Sequence, residues 1–176
     1  GLNFKFSESP IAAIIDTATG EVRSSKLCYP VLYEKKKGYS NNEIVSRIYD
    51  GKRFVYSFCL MEELYVTEDH ETVKIYPAKS RYMEVDKSGY SRNLTMAEGI
   101  VESNSKPKYD NIVYDRYRDV YYRFCRMKDT KTSPKVFLDR GYYQCLSDFS
   151  ILILNSDLEV MGETLFEAGV YAPKLF

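Results

Sequence analysis

The sequence predicts an all-β protein built from antiparallel four-stranded meanders, stacked as a partial or oligomer-completed β-propeller, with a β-sandwich as the alternative. Three observations predict it. Seventeen Tyr and nine Phe stand against no Trp and one His, a balance that suits pleated, half-buried surfaces. Hydrophobicity alternates along short runs bounded by turn-forming residues. The third observation is a strand written twice: "RIYDGKRFVYSFCLM", 47–61, and "VYDRYRDVYYRFCRM", 113–127, align through Tyr56 with Tyr122, Phe58 with Phe124 and Cys59 with Cys125.

Taken in order, "IAAIIDTATGEVRSSKL", 11–27, holds two alternating runs about a turn at Thr17 to Gly20, so residues 1–30 read as the last two strands of a unit. A full unit follows at 42–80. Its first strand leads to a turn at Asp50-Gly51 and then to a longer strand. There Phe54, Tyr56, Phe58 and Leu60 point one way and Val55, Ser57, Cys59 and Met61 the other. Both faces are largely apolar, which requires cover on both sides. The run "ELYVTEDHETVKIY", 63–76, broken at Glu68-Asp69-His70, completes the unit. Residues 109–170 repeat the form, with turns at Asp115 to Asp119 and at Asn155-Ser156-Asp157.

Four short strands per unit with doubly apolar inner strands is what radially stacked blades need. A sandwich explains the alternation but gives no reason for matching inner strands. Two and a half units in one 176-residue domain do not close a ring. The missing cover is therefore expected from further blades of a longer chain, from association of copies, or from an open stack with protected edges. Two segments lie outside the repeat. Residues 77–110 are polar, with a helical turn in "NLTMAEGIVE" and a loop at Ser103 to Lys108; residues 128–148 separate the second and third strands of the last unit, and "KVFLD" within them has the composition of a strand.

Twenty-five basic residues balance twenty-five acidic ones, which removes the electrostatic term behind non-specific nucleic-acid binding, so no nucleic-acid partner is expected. No apolar run reaches the roughly 18 residues of a membrane span, and "GLNFKF" has neither the basic nor the apolar region of a signal peptide.

A histidine-dependent nucleophile would have to use His70, which the sequence places solvated in a turn between Asp69 and Glu71. Cys28, Cys59, Cys125 and Cys145 show no zinc-ligand spacing. On equivalent strands of stacked sheets, Cys59 and Cys125 would sit roughly 10 Å apart, beyond the about 7 Å reach of a disulfide, and read as buried thiols. Cys28 and Cys145 stay available to pair under oxidising conditions. "DTATGE" and "NSDLE" lack the ligand set of a calcium loop and read as hairpin turns. No phosphate-loop, dinucleotide, nucleophile-elbow or zinc-protease motif occurs; no cofactor, metal or catalytic residue is assigned. "NLT" at 93–95 fits a glycosylation acceptor.

In the run Arg116, Tyr117, Arg118, Tyr121, Tyr122, Arg123, the arginines are expected solvated in the turn and the tyrosines packed between sheets. Ligands of stacked blades meet the loops joining second to third strands and one blade to the next, here 128–148 and 77–110. Arg140, Tyr142 and Tyr143 are the first candidates for a contact surface, with Arg81 and Tyr82 behind them. The functional expectation is a non-enzymatic binding or scaffold module for a protein or glycan. The alternative is a propeller-type hydrolase or lactonase with a central metal site, for which Asp50 and Asp115 are the repeated carboxylates.

"YDNIVYDRYRDVYYRFCRM" followed by "FSILILNSDLEVMGETLFEAGVYAPKLF" resembles a family of uncharacterised exported proteins of Bacteroidetes, many of them lipoproteins. The hairpin at Tyr114 to Tyr122 and "GET", Gly162 to Thr164, carry the resemblance, which covers residues 95–176. It implies a six-bladed propeller-like architecture and an envelope location, the periplasm or outer-membrane surface. This chain departs from the family in being less than half its length and in having no lipobox cysteine. The family has no established activity, so the resemblance brings no catalytic residue.

Overall fold

The computed structural model of the chain describes residues 5–30, 45–86, 91, 93–129 and 147–171. Its strands form one hairpin and two consecutive meanders, all antiparallel. β1 (Ala13–Ile15) pairs with β2 (Val22–Ser24). β3 (Val45–Tyr49), β4 (Phe54–Phe58), β5 (Glu63–Thr67) and β6 (Lys74–Pro77) lie side by side in chain order. So do β7 (Lys108–Asp115), β8 (Val120–Arg126), β9 (Phe149–Leu154) and β10 (Val160–Phe166). Both four-stranded sheets are open, with β3, β6, β7 and β10 as edges.

The turns explain the placement of Asp and Asn in the sequence. Asp16 Oδ1 accepts from the amides of Ala18 and Thr19 at 2.8 and 3.0 Å. Asp50 does the same for Lys52 and Arg53, and Asp69 for Glu71 and Thr72. Asp115 serves Tyr117 and Arg118, and Asn155 serves Asp157 and Glu159. Each side chain satisfies amides that have left the ladder, so the same local bond closes five hairpins. The two amides it binds draw the Asp69 carboxyl down to about 2.

The first sheet is the middle layer. Val55 to Phe58 are buried on both faces of β4, the double cover its apolar alternation demands. The Ser57 face packs on the second sheet, joining Val55, Leu64 and Val66 to Tyr121, Cys125, Leu152 and Leu154 in one core. The other face meets the hairpin: Tyr29 stands edge-on to Phe58 at 5.9 Å, Leu27 is buried, and Lys26 N donates to the His70 carbonyl at 2.8 Å. The two sheets meet where β3 and β4 approach β7 and spread apart toward β6 and β10. At the meeting point Tyr109 N donates to the Cys59 carbonyl at 2.9 Å and Ile112 N to Ser46 Oγ at 3.1 Å.

Arg123 corrects the expectation of solvated arginines. Arg116 and Arg118 are exposed on the β7–β8 turn, but Arg123 is 0% exposed. Alternation along β8 points Tyr121, Arg123 and Cys125 inward, where the guanidinium meets main-chain carbonyls at the end of the first sheet. Its Nε donates to Ser57 Oγ at 2.9 Å, Nη1 to Ala78 O at 2.8 Å and Glu62 O at 3.1 Å, and Nη2 to Met61 O at 2.7 Å. The Tyr109 ring lies 3.5 Å from the guanidinium carbon. Tyr117, conversely, is 83% exposed rather than packed between sheets.

Sheet edges are blunted by familiar means. β6 carries Lys74 and ends in Pro77; β10 has a register shift between Val160 and Gly162 and an inward-pointing, buried Glu163. Helix α1 (Met96–Ser105) is longer than the single turn expected of "NLTMAEGIVE" and takes in the start of the expected loop. A capping box starts it: Thr95 Oγ1 accepts from Glu98 N, and Glu98 Oε2 accepts from Thr95 N at 2.8 Å.

Cys59 and Cys125 are buried free thiols, as expected, and burial pushes the Cys125 thiol up to about 12. Cys28 is a free thiol; Cys145, the "KVFLD" stretch, Arg140, Tyr142 and Tyr143 lie outside the described residues. No helix among the described residues is long and apolar enough to cross a membrane.

Candidate binding site

The chain leaving β6 runs against β10. Ser80 Oγ and Ser150 Oγ both donate to Glu163 Oε1 at 2.5 Å, and Arg81 N donates to Glu163 Oε2 at 2.8 Å. Ser80 N in turn donates to the Tyr109 hydroxyl at 3.0 Å, which ties this segment to the ring under Arg123. Burial pushes the Tyr109 phenol up to about 12, so it stays a neutral acceptor. A buried carboxylate with three donors is satisfied and therefore rigid.

That rigidity fixes what lies on the surface. Arg81 Nη2 donates to the Glu163 carbonyl at 2.7 Å and to the Tyr82 hydroxyl at 2.8 Å, and its guanidinium sits 4.7 Å from the Tyr82 ring centre. Both residues are exposed, Tyr82 at 42%. Thus Arg81 and Tyr82 form one platform.

Beside it, Tyr76, Pro77 and Lys79 face Asp157, Leu158, Glu159 and Val160 across an open, mostly apolar cleft of about 540 Å³. Leu158 is 1% exposed and adopts φ 64°, a left-handed conformation rare for a branched residue. The strain is tolerated because it turns the side chain into the core while its neighbours stay in solvent. Sequence reasoning missed this cleft. Its walls come from different sheets, and the only local signal was apolar Val160 and Met161 beside a turn, 47% and 65% exposed in the fold.

The repeated carboxylates are committed elsewhere. Asp50 Oδ2 accepts from Arg53 Nε at 3.0 Å and from the Tyr121 hydroxyl, and Arg53 Nη2 reaches the Ser156 carbonyl. Burial pushes the Asp50 carboxyl up, but the bonds from Tyr121 and the turn amides outweigh it and hold the group below its ordinary value. Asp115 is lowered by Arg118 at 2.7 Å and by its turn amides. Among the described residues no three His, Cys, Asp or Glu side chains are grouped to hold a metal ion.

His70 is not the solvated turn residue the sequence suggested. It is half-buried at φ 63°, its ring lies 4.4 Å from that of Phe54, and its Nδ1 is buried with no hydrogen-bond partner among the described residues. The reason is tertiary: its carbonyl receives Lys26 N from the docked hairpin, which draws the ring over Phe54. Burial lowers its pKa, and Arg47 and Arg23 lower it further against the opposing pull of Asp69 and Glu71. A histidine whose folded pKa lies below its unfolded value binds more protons when unfolded, so stability falls as the pH drops below the unfolded value of about 6.5. We expect the melting temperature to decline between pH 7.5 and 5, and His70→Asn, which tolerates the same backbone, to flatten that decline. An unchanged pH profile in the variant would show that other groups cause it.

The family described as Domain of unknown function (DUF4221) matches residues 3–165, well beyond the segment that carried the resemblance. A crystal structure of a DUF4221 member from Bacteroides vulgatus superposes on 93% of this chain with a TM-score of 0.75 at 30% identity. This chain spans 45% of that solved chain. No curated protein matches. With most of its length covered by the family and its fold shared with a solved member, the chain belongs to the DUF4221 family of domains of unknown function.

Proposed function

We propose that the chain is a non-enzymatic binding or scaffold module of a bacterial cell envelope, with its sheets stacked as successive propeller blades. Its contact surface is the strip from Tyr76 to Tyr82 with the adjoining cleft, and its ligand is a protein or glycan. The observation that carries the reading is the contrast between interior and surface. Inside, Glu163 is engaged by two serines and an amide, Asp50 by Tyr121 and Arg53, and Arg123 by carbonyls. Groups so engaged position the fold. On the surface, an open cleft adjoins a rigid Arg-Tyr platform, the kind of concavity with few convergent polar groups that binds ligands.

Radial stacking is supported by the approach of the sheets at their first strands and by the cover on both faces of β4. The far face of the second sheet presents Tyr122, Phe124, Ile151 and Ile153, all half-buried. A further blade from a longer chain or a second copy completes their burial, and the solved relative has the length for one. The envelope location rests on the sequence's resemblance to exported proteins, and the relative's Bacteroides source fits a bacterial setting.

Binding assays on a panel of glycans and envelope proteins test this. The expected result is saturable binding that Arg81→Ala/Tyr82→Ala weakens about tenfold or more without lowering the melting temperature. Measured turnover of a substrate, with no saturable binding across the panel, would refute the reading.

A further inference from the structure

We infer that the cleft between β6 and the β9–β10 turn takes a peptide segment of a partner protein in which an apolar side chain stands beside a lysine or arginine. The inference rests on the binding-module reading and specifies the ligand class. Tyr76, Pro77 and Val160 give the cleft its apolar lining, with the buried Leu158 behind them. Above them the rim is acidic. Lys79, its one cation among the described residues, is already answered by Glu62 at 3.0 Å. Asp157 and Glu159 are both exposed. Among the described residues the Glu159 carboxylate accepts from the neutral side-chain amide of Asn155 alone, at 3.1 Å, and none donates to the Asp157 carboxylate.

The left-handed Leu158 produces this arrangement by burying itself and leaving the two flanking carboxylates in solvent. A lysine or arginine fits both halves, with its methylene stem over Tyr76 and Val160 and its head between the acids. A neighbouring aliphatic side chain fills the rest. A sugar is a poorer match, because the cleft offers one ring and carboxylate acceptors where a glycan needs stacking faces and mixed donors. Strand addition along β6 is opposed by Lys74 and Pro77. The segment therefore docks by side-chain insertion.

The test titrates isotope-labelled protein with two capped peptides that differ only in carrying lysine or glutamate next to a leucine, and with a neutral oligosaccharide, following the amides of Lys79, Leu158 and Val160. The lysine peptide is expected to shift these amides saturably. Raised salt weakens it, and Asp157→Asn/Glu159→Gln weakens it about tenfold. The glutamine side chain of that variant keeps an oxygen to accept from Asn155, so the turn persists. Equal response to both peptides, or undiminished binding by the variant, overturns the proposed ligand class. Saturation of the same amides by the oligosaccharide also overturns it but leaves the binding-module reading intact. No response to any of the three probes removes the cleft inference alone, since the wider panel decides the module reading independently.

Discussion

Arg123→Met is expected to destabilise the protein by about 4 kcal/mol, measured as a lower urea midpoint at unchanged m-value. Methionine fills most of the volume, so the loss reports the hydrogen bonds together with the contact on the Tyr109 ring. Without the guanidinium, the carbonyls of Met61 and Ala78 and the hydroxyl of Ser57 lose their donor in a site closed to water. Each unsatisfied buried group costs about 1–3 kcal/mol. Arg123→Lys should recover only part of the loss, because an ammonium reaches fewer of these acceptors and cannot stack on Tyr109. A loss below about 1 kcal/mol would mean the carbonyls find other partners, and that the arginine does not bind the sheets together.

Asp50→Ala should cost about 3 kcal/mol, clearly more than Asp115→Ala at the equivalent turn. Both carboxylates close a turn through two amides. Asp50 also accepts the Tyr121 hydroxyl from the other sheet, and its side chain is 7% exposed beside an Arg53 at 16%. Among the described residues Asp115 pairs with Arg118 alone, which is 73% exposed, an arrangement that contributes little in water. Since the Asp50 carboxyl is held below its ordinary value, its contribution is present above about pH 4 and fades as the pH falls through the folded value. Wild-type and Asp50→Asn melting temperatures should therefore converge in acid. Equal losses at Asp50 and Asp115 would show that turn closure, rather than the link between sheets, dominates.

The repeat made much of the fold legible. Alternation and turn residues located the antiparallel strands of both meanders, because a hairpin's register follows from its own turn chemistry and the period of its own side chains. The doubly apolar β4 announced that something must lie on each side of it. The site was far less legible. Arg81 and Tyr82 lie together on the surface, as loop residues should, while Arg140, Tyr142 and Tyr143 lie outside the described residues. The basic run at 116–123 misled for a definite reason: Arg118 and Arg123 have the same side chain, and only the second points into the core.

His70 shows the same boundary. Its neighbours Asp69 and Glu71 suggested solvent, and the docked hairpin overrode them. Strand positions, hairpin closure and the need for facing layers were contained in the chain's local chemistry, where each requirement involves residues a few positions apart. Which carbonyls Arg123 would reach, which serines would hold Glu163, and that the end of β6 and the β9–β10 turn would enclose a cleft, depended on assembly. Those partners lie in separate sheets, and nothing in the spacing of residues along a strand encodes the distance between two layers.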